Sequence, residues 1–175
     1  MTQKPKRSLK RLLVPLKYDT KQIVKGDARI YKDSIFLNEG EYSDSITRAP
    51  VYYSSDELKK ATEKWNKNKL INLDDDKVYL DLDHKVDEVL MRIGYATNIY
   101  FANNAIKGDL YLHRLTENSK DTVRLIDAGF INKLSVEITT MDYWDEENEK
   151  RCAGDIDLIG LAVVTMPADI NTRIR

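Results

Sequence analysis

The alternation in "INKLSVEITT", residues 131–140, restricts the fold more than any other stretch of the chain. Leu134, Val136 and Ile138 share one parity, with Ser135 on the other. Successive side chains of a strand point to opposite faces, so a period of two predicts a strand with one face on a core and Ser135 on the solvent side. "KVYLDLDH", residues 77–84, repeats the pattern: Val78, Leu80, Leu82 and His84 fall on one face and Tyr79, Asp81 and Asp83 on the other. His84 ends the inward row. "DIDLIGLAVVTMPAD", residues 155–169, is instead apolar at both parities from Leu158 to Val164, as expected of a strand covered on both faces and stopped by Pro167.

Further strands are predicted at "ARIYKDSIFL" (28–37), with "NEGEYSDS" (38–45) as a turn, and at "NIYFA" (98–102) and "GDLYLH" (108–113). Two helices interrupt them. Ser54 and Glu57 have capping-box spacing, and Leu58, Ala61 and Trp65 form one apolar stripe, closed by "KNKLINLDDD". In "SKDTVRLIDAGF" (119–130), Val123, Ile126 and Phe130 recur at helical spacing and Gly129 sits near the C-terminal end. Strands dominate, so the expected class is α+β: a mainly antiparallel, closed or nearly closed β-barrel with a few surrounding helices.

A chain of 175 residues fits one domain, and its charged residues, 33% of the total, nearly cancel to a net charge of −1. Nucleic acid is not an expected partner on that balance. Charge is concentrated only locally. "MTQKPKRSLKRLL" carries Lys4, Lys6, Arg7, Lys10 and Arg11 without an acidic residue, so residues 1–15 are expected to be a mobile basic arm and residues 16–175 a single domain. Such an arm is either a solvated tail or a contact for nucleic acid or an acidic partner. "MDYWDEENEK" (141–150) reads as a charged surface loop.

The single cysteine, Cys152, cannot form an internal disulfide, which predicts a reducing compartment and a bystander thiol. No apolar run approaches the roughly 20 residues of a membrane span, and the N-terminus has no secretory signal pattern. No glycine-rich phosphate loop exists, so no nucleotide cofactor is expected. "DLDH" (81–84) gathers two carboxylates and an imidazole, but strand geometry turns Asp81 and Asp83 away from His84, and no metal is expected.

Hydrolytic chemistry needs a hydroxyl, an imidazole to take its proton and a third group to hold the imidazole. The chain has two histidines, His84 and His113, each at the end of an expected strand. A sheet can bring His84 to Ser135, and a polar strand face with a strand-end histidine satisfies the same pattern.

The order of these pieces is a second source of inference: a strand ending in His84, "KGDLYLH", a helix, "LSVEI", then "IDLIGLAVVTMPAD". Over about residues 75–170 it resembles the prohead proteases of tailed bacteriophages, serine peptidases that share the herpesvirus maturation-protease fold. The resemblance implies Ser135 as nucleophile and His84 as general base. It puts the third group at the start of the strand after the nucleophile strand, where Asp157 stands against the apolar run with Asp155 in reserve. Backbone N–H groups of Thr165 and Met166 are the implied oxyanion donors, with no cofactor and no metal. The implied reaction is endoproteolysis through an acyl-enzyme, in the host cytoplasm inside assembling proheads, on scaffold, on major capsid protein extensions and on the protease itself. A homo-oligomer is compatible with it, although the late helix through which herpesvirus relatives dimerise has no counterpart before "NTRIR". The competing class is a non-enzymatic phage head or scaffold-binding protein on the same fold, in which Ser135 and His84 would lie apart.

Overall fold

The computed structural model describes residues 8–15, 22–25, 27–43, 49–71, 78–83 and 89–164. The strands, in chain order, are β1 (Ser8–Pro15), β2 (Gln22–Lys25), β3 (Ala28–Asn38), β4 (Gly40–Ser43), β5 (Pro50–Tyr53), β6 (Val78–Leu82), β7 (Arg92–Ala102), β8 (Ala105–His113), β9 (Lys133–Asp145) and β10 (Lys150–Val163). Helix α1 (Ser55–Ile71) lies between β5 and β6, and α2 (Glu117–Asp127) between β8 and β9.

The strands join in one sheet along the path β1-β9-β10-β6-β7-β8-β3-β2, with the β4–β5 hairpin attached to β10 through β5. This corrects the expected barrel. Closure would require β1 and β2 to pair, and they stand at opposite ends of the path. The sheet is also mixed. β9 and β10 form a hairpin, but β10 then inserts beside β6 and β5 and runs parallel to both. Sequence alternation reports which face a side chain takes and carries nothing about the direction of a distant neighbour.

Local chemistry explains the elements that were legible. In β9, Leu134, Val136 and Ile138 are fully buried, as their parity requires. β7 turns into β8 through Asn103 and Asn104, whose φ angles of 52° and 57° suit a two-residue hairpin. The Ser54 hydroxyl accepts the Glu57 N–H at 3.3 Å, and the Leu58, Ala61 and Trp65 stripe of α1 packs on the core.

Four local expectations change. "NEGEYSDS" contributes β4 rather than only a turn. The charged stretch after Thr140 is largely strand: Met141–Asp145 extend β9, and only 146–149 form the turn to β10. Phe130 lies beyond the end of α2 and is exposed, because Gly129 at φ 79° reverses the chain after Ile126. Residues 8–15 of the basic arm are not mobile: they are β1, paired with β9 along its whole length. Leu12 enters the core, and Lys10 is buried in an ion pair with Asp142. An arm with so few apolar residues was expected to stay in water; its pairing along β9, the burial of Leu12 and the Lys10–Asp142 ion pair hold it on the sheet. Residues 1–7 lie outside the described residues.

Candidate active site

Ser135 sits in β9 between β1 and β10, opposite Leu13 on one side and Ala162 on the other. Ala162 in turn pairs with Asp81 of β6. These residues form one row across four strands, with Ser135 and Asp81 about 10 Å apart at the usual strand spacing. In the next row Leu134 faces Val163, whose carbonyl accepts the Asp83 N–H at 3.0 Å. The residue preceding His84 is therefore anchored two strands from the residue preceding Ser135. His84, Thr165 and Met166 themselves lie outside the described residues.

Ser135 does not face open solvent as its parity suggested; it is 1% exposed. The second face of β9 is covered at this point, and Glu137, on the same face two residues on, is 7% exposed. A buried carboxylate needs compensation. Arg11 of β1 supplies it, donating from Nε to Glu137 Oε1 at 2.7 Å. The other oxygen lies over Gly160, the residue paired with Glu137 on β10: a Cβ at Gly160 would stand 3.2 Å from Oε2. Sequence reading passed over both residues. Their only signal was a carboxylate on the parity of Ser135 and a glycine inside an apolar strand, and the register that opposes them was not readable.

The register treats the two expected aspartates differently. Asp157 pairs with Thr139, four residues along β9 from Ser135, which is about 13 Å of strand rise. It is held by Lys64 of α1 at 2.6 Å, and Asp155 is held by the same ammonium at 2.7 Å. The structure brings these carboxylates to each other and to α1, and does not bring either to Ser135. The cause is the length of the β9–β10 hairpin and the irregularities between Gly154 and Asp157 and between Leu158 and Gly160. Asp155 itself adopts φ 45° there.

A serine and a histidine do meet elsewhere. Ser119 Oγ lies 3.0 Å from His113 Nδ1. Ser119 is fully buried in the capping box of α2, where its hydroxyl accepts from the Thr116 N–H and faces the Thr116 carbonyl at 2.9 Å. The Leu115 N–H points at Nδ1 (3.3 Å) while Nε2 faces the Arg92 carbonyl at 2.8 Å, which assigns the ring proton to Nε2. This pair clips the end of β8 to α2, and the Ser119 hydroxyl is committed to the helix cap. Cys152 is buried, and burial pushes its thiol up, aided by the Asp145 carboxylate, away from the thiolate that a nucleophile requires. Among the described residues no group of three histidine, cysteine or carboxylate side chains is placed to hold a metal ion.

Three comparisons bear on this arrangement. The family model described as Caudovirus prohead serine protease matches residues 47–175, a span that contains β6, β9 and β10. The structure of the bacteriophage T4 capsid assembly protease is similar at a TM-score of 0.64, covering 92% of this chain and 99% of that one at 14% identity. That likeness is one of fold. No curated protein sequence matches the chain.

Proposed function

The chain belongs to the Caudovirus prohead serine protease family and is a serine protease of phage capsid maturation; from that premise we propose that Ser135 is its nucleophile and His84 its general base. The observation that carries this reading is the strand order. β10 alone separates the strand bearing Ser135 from the strand that runs into His84, and Asp83 is tied to β10 beside that row.

In this reading the Ser135 hydroxyl attacks the scissile carbonyl carbon as His84 takes its proton. The carbonyl oxygen becomes an oxyanion, met by backbone N–H groups of Thr165 and Met166 just beyond β10. Collapse breaks the C–N bond, and His84 returns the proton to the leaving amine. Water, deprotonated by the same imidazole, then hydrolyses the acyl-enzyme and frees Ser135. Enclosure of Ser135 favours this chemistry, since hydrogen bonds to developing charge are stronger where water is excluded.

The substrates proposed are scaffold protein and extensions of the major capsid protein, and the protease cuts its own chain within the particle. Coexpression with the phage's own scaffold and capsid proteins tests the assignment. Wild-type enzyme should shorten both, whereas Ser135→Ala and His84→Ala should leave them intact; processing that continues in either variant removes the corresponding residue from its role.

A further inference from the structure

We propose that the open edge of β9 at residues 141–145, with the turn 146–149 beyond it, is a docking site for a basic, extended segment of a partner protein, which adds to the sheet as a further strand. The site lies outside the catalytic reading. It uses neither Ser135 nor His84, and it begins about 20 Å along β9 from Ser135.

The edge is the first ground. β10 accompanies β9 from Leu134 to Asp145, but on the other side β1 reaches only from Lys133 to Thr140. Among the described residues, 141–145 therefore have a neighbouring strand on one side only. About 17 Å of backbone presents its outward N–H and C=O groups to a chain that can pair with them. The ladder to β10 keeps one register from the Asp145–Lys150 pair to the Met141–Gly154 pair, so the template is unbroken. Neither lysine, proline nor a bulge guards it, as at many exposed edges. Tyr143 and Trp144 stand there instead, 51% and 61% exposed.

Charge identifies the occupant. The cations of the hairpin are already engaged: Arg151 Nε lies 2.8 Å from an Asp142 carboxylate oxygen, and Lys150 Nζ stands 3.6 Å from the centre of the Tyr52 ring. Asp145 is committed to the turn, accepting the N–H groups of Glu147 and Asn148 at 3.1 Å each. Glu146, Glu147 and Glu149 are exposed, and no ion pair among the described residues reaches their carboxylates. Three uncompensated negative charges thus adjoin two exposed aromatic rings. That surface suits lysine and arginine through ion pairing and cation–π contact, and it repels an acidic chain or a nucleic acid. The edge selects an extended backbone and the turn selects basic side chains, and strand addition satisfies both. Residues 1–7, with Lys4, Lys6 and Arg7, carry similar charge within this chain, but Pro5 has no N–H to give to a ladder, which favours a partner's segment.

The test uses the purified full-length protease and a fluorescein-labelled (Lys-Thr)4 peptide, followed by fluorescence anisotropy. Binding should saturate, weaken roughly tenfold between about 50 and about 300 mM salt, and be absent for (Glu-Thr)4. Amide hydrogen exchange at residues 141–145 should slow when the peptide is bound. Replacing the three exposed carboxylates together (Glu146→Gln, Glu147→Gln and Glu149→Gln) should weaken binding about tenfold, and Trp144→Ala about fivefold. A (Lys-Thr)4 peptide methylated on every backbone nitrogen keeps its charge but cannot donate to the edge, and it should bind at least about tenfold more weakly. Deletion of residues 1–7 should change the affinity by less than about threefold. The proposal is overturned if the triple variant and Trp144→Ala both bind as wild type does, if the methylated peptide binds as well as its parent, or if exchange slows elsewhere and not at 141–145. It is overturned equally if deleting residues 1–7 tightens binding tenfold or more, which makes the chain's own arm the occupant of the edge. All these readouts are of binding, so their failure is distinct from a failure of the roles given to Ser135 and His84.

Discussion

Two stretches of β10 carry different residue chemistry to different purposes. Nearer its start, in the middle of the strand, Asp155 and Asp157 converge on Lys64 and fasten α1 to the sheet. Toward its end, Gly160 and Ala162 are small and lie beside Glu137 and Ser135 of β9. One end uses carboxylates of β10 as anchors for a helix, and the other leaves β10 bare so that polar groups of β9 can occupy its surface. A charged residue next to an apolar strand is thus no guide to chemistry until its cross-strand partner is known.

The largest expected effect separates these ends most sharply. Ser135→Ala should reduce cleavage to background, a loss on the order of 10⁶-fold for a residue acting as nucleophile, with folding stability changed by less than about 1 kcal/mol. Its neighbour on the other face should behave inversely. Leu134→Ala opens a cavity in the core and should destabilise by about 3 kcal/mol in urea unfolding. Equal stability losses for the two variants would dissolve the distinction between a chemical and a packing face of β9.

Lys10→Met comes next, since it removes one partner of the buried Asp142, leaving Arg151 at 2.8 Å; we expect a loss of about 3 kcal/mol by urea unfolding. Burial alone would raise the Asp142 carboxyl, but hydrogen bonds from Lys10 and Thr140 and the charges of Lys10 and Arg151 outweigh it and hold it below the usual carboxylate range. Its stabilisation is therefore present above the ordinary carboxylate pKa and is lost as pH falls through the lowered folded value. Comparison of urea midpoints from neutral to acid pH should show a shallower decline in Lys10→Met than in wild type.

The smallest effect belongs to the far end of β10. Lys64→Met should cost no more than about 1 kcal/mol, because the ammonium and both carboxylates are partly exposed and screened, and it should leave the cleavage rate unchanged. A rate loss in Lys64→Met without a matching stability loss would connect this end to the chemistry after all.

Much of this was legible residue by residue. The inward row of β9, the stripe of α1 and the resemblance to prohead proteases all followed from short-range pattern and order. Asp157 was expected at the active site because a carboxylate opening an apolar strand is where relatives of this fold keep their third group. The irregularities of β10 move it opposite Thr139 instead. Lys10 and Arg11 read as tail charges because their partners, Asp142 and Glu137, are 132 and 126 residues away. His113 was visible in sequence as a strand-end histidine, but its contact with Ser119 belongs to a helix cap whose geometry forms only when α2 packs on β8.

What the sequence determined by itself was face and class: a period of two assigns each strand residue to one side, and apolar content decides which side meets the core, whereas the cover over the Ser135 face came from the tertiary structure. Strand order, direction and register were decided by tertiary structure alone, because they depend on which distant strands share hydrogen bonds and on where a bulge shifts the ladder by a residue. Those shifts set Gly160 opposite Glu137 and Asp157 opposite Thr139, and no spacing along the chain encodes them.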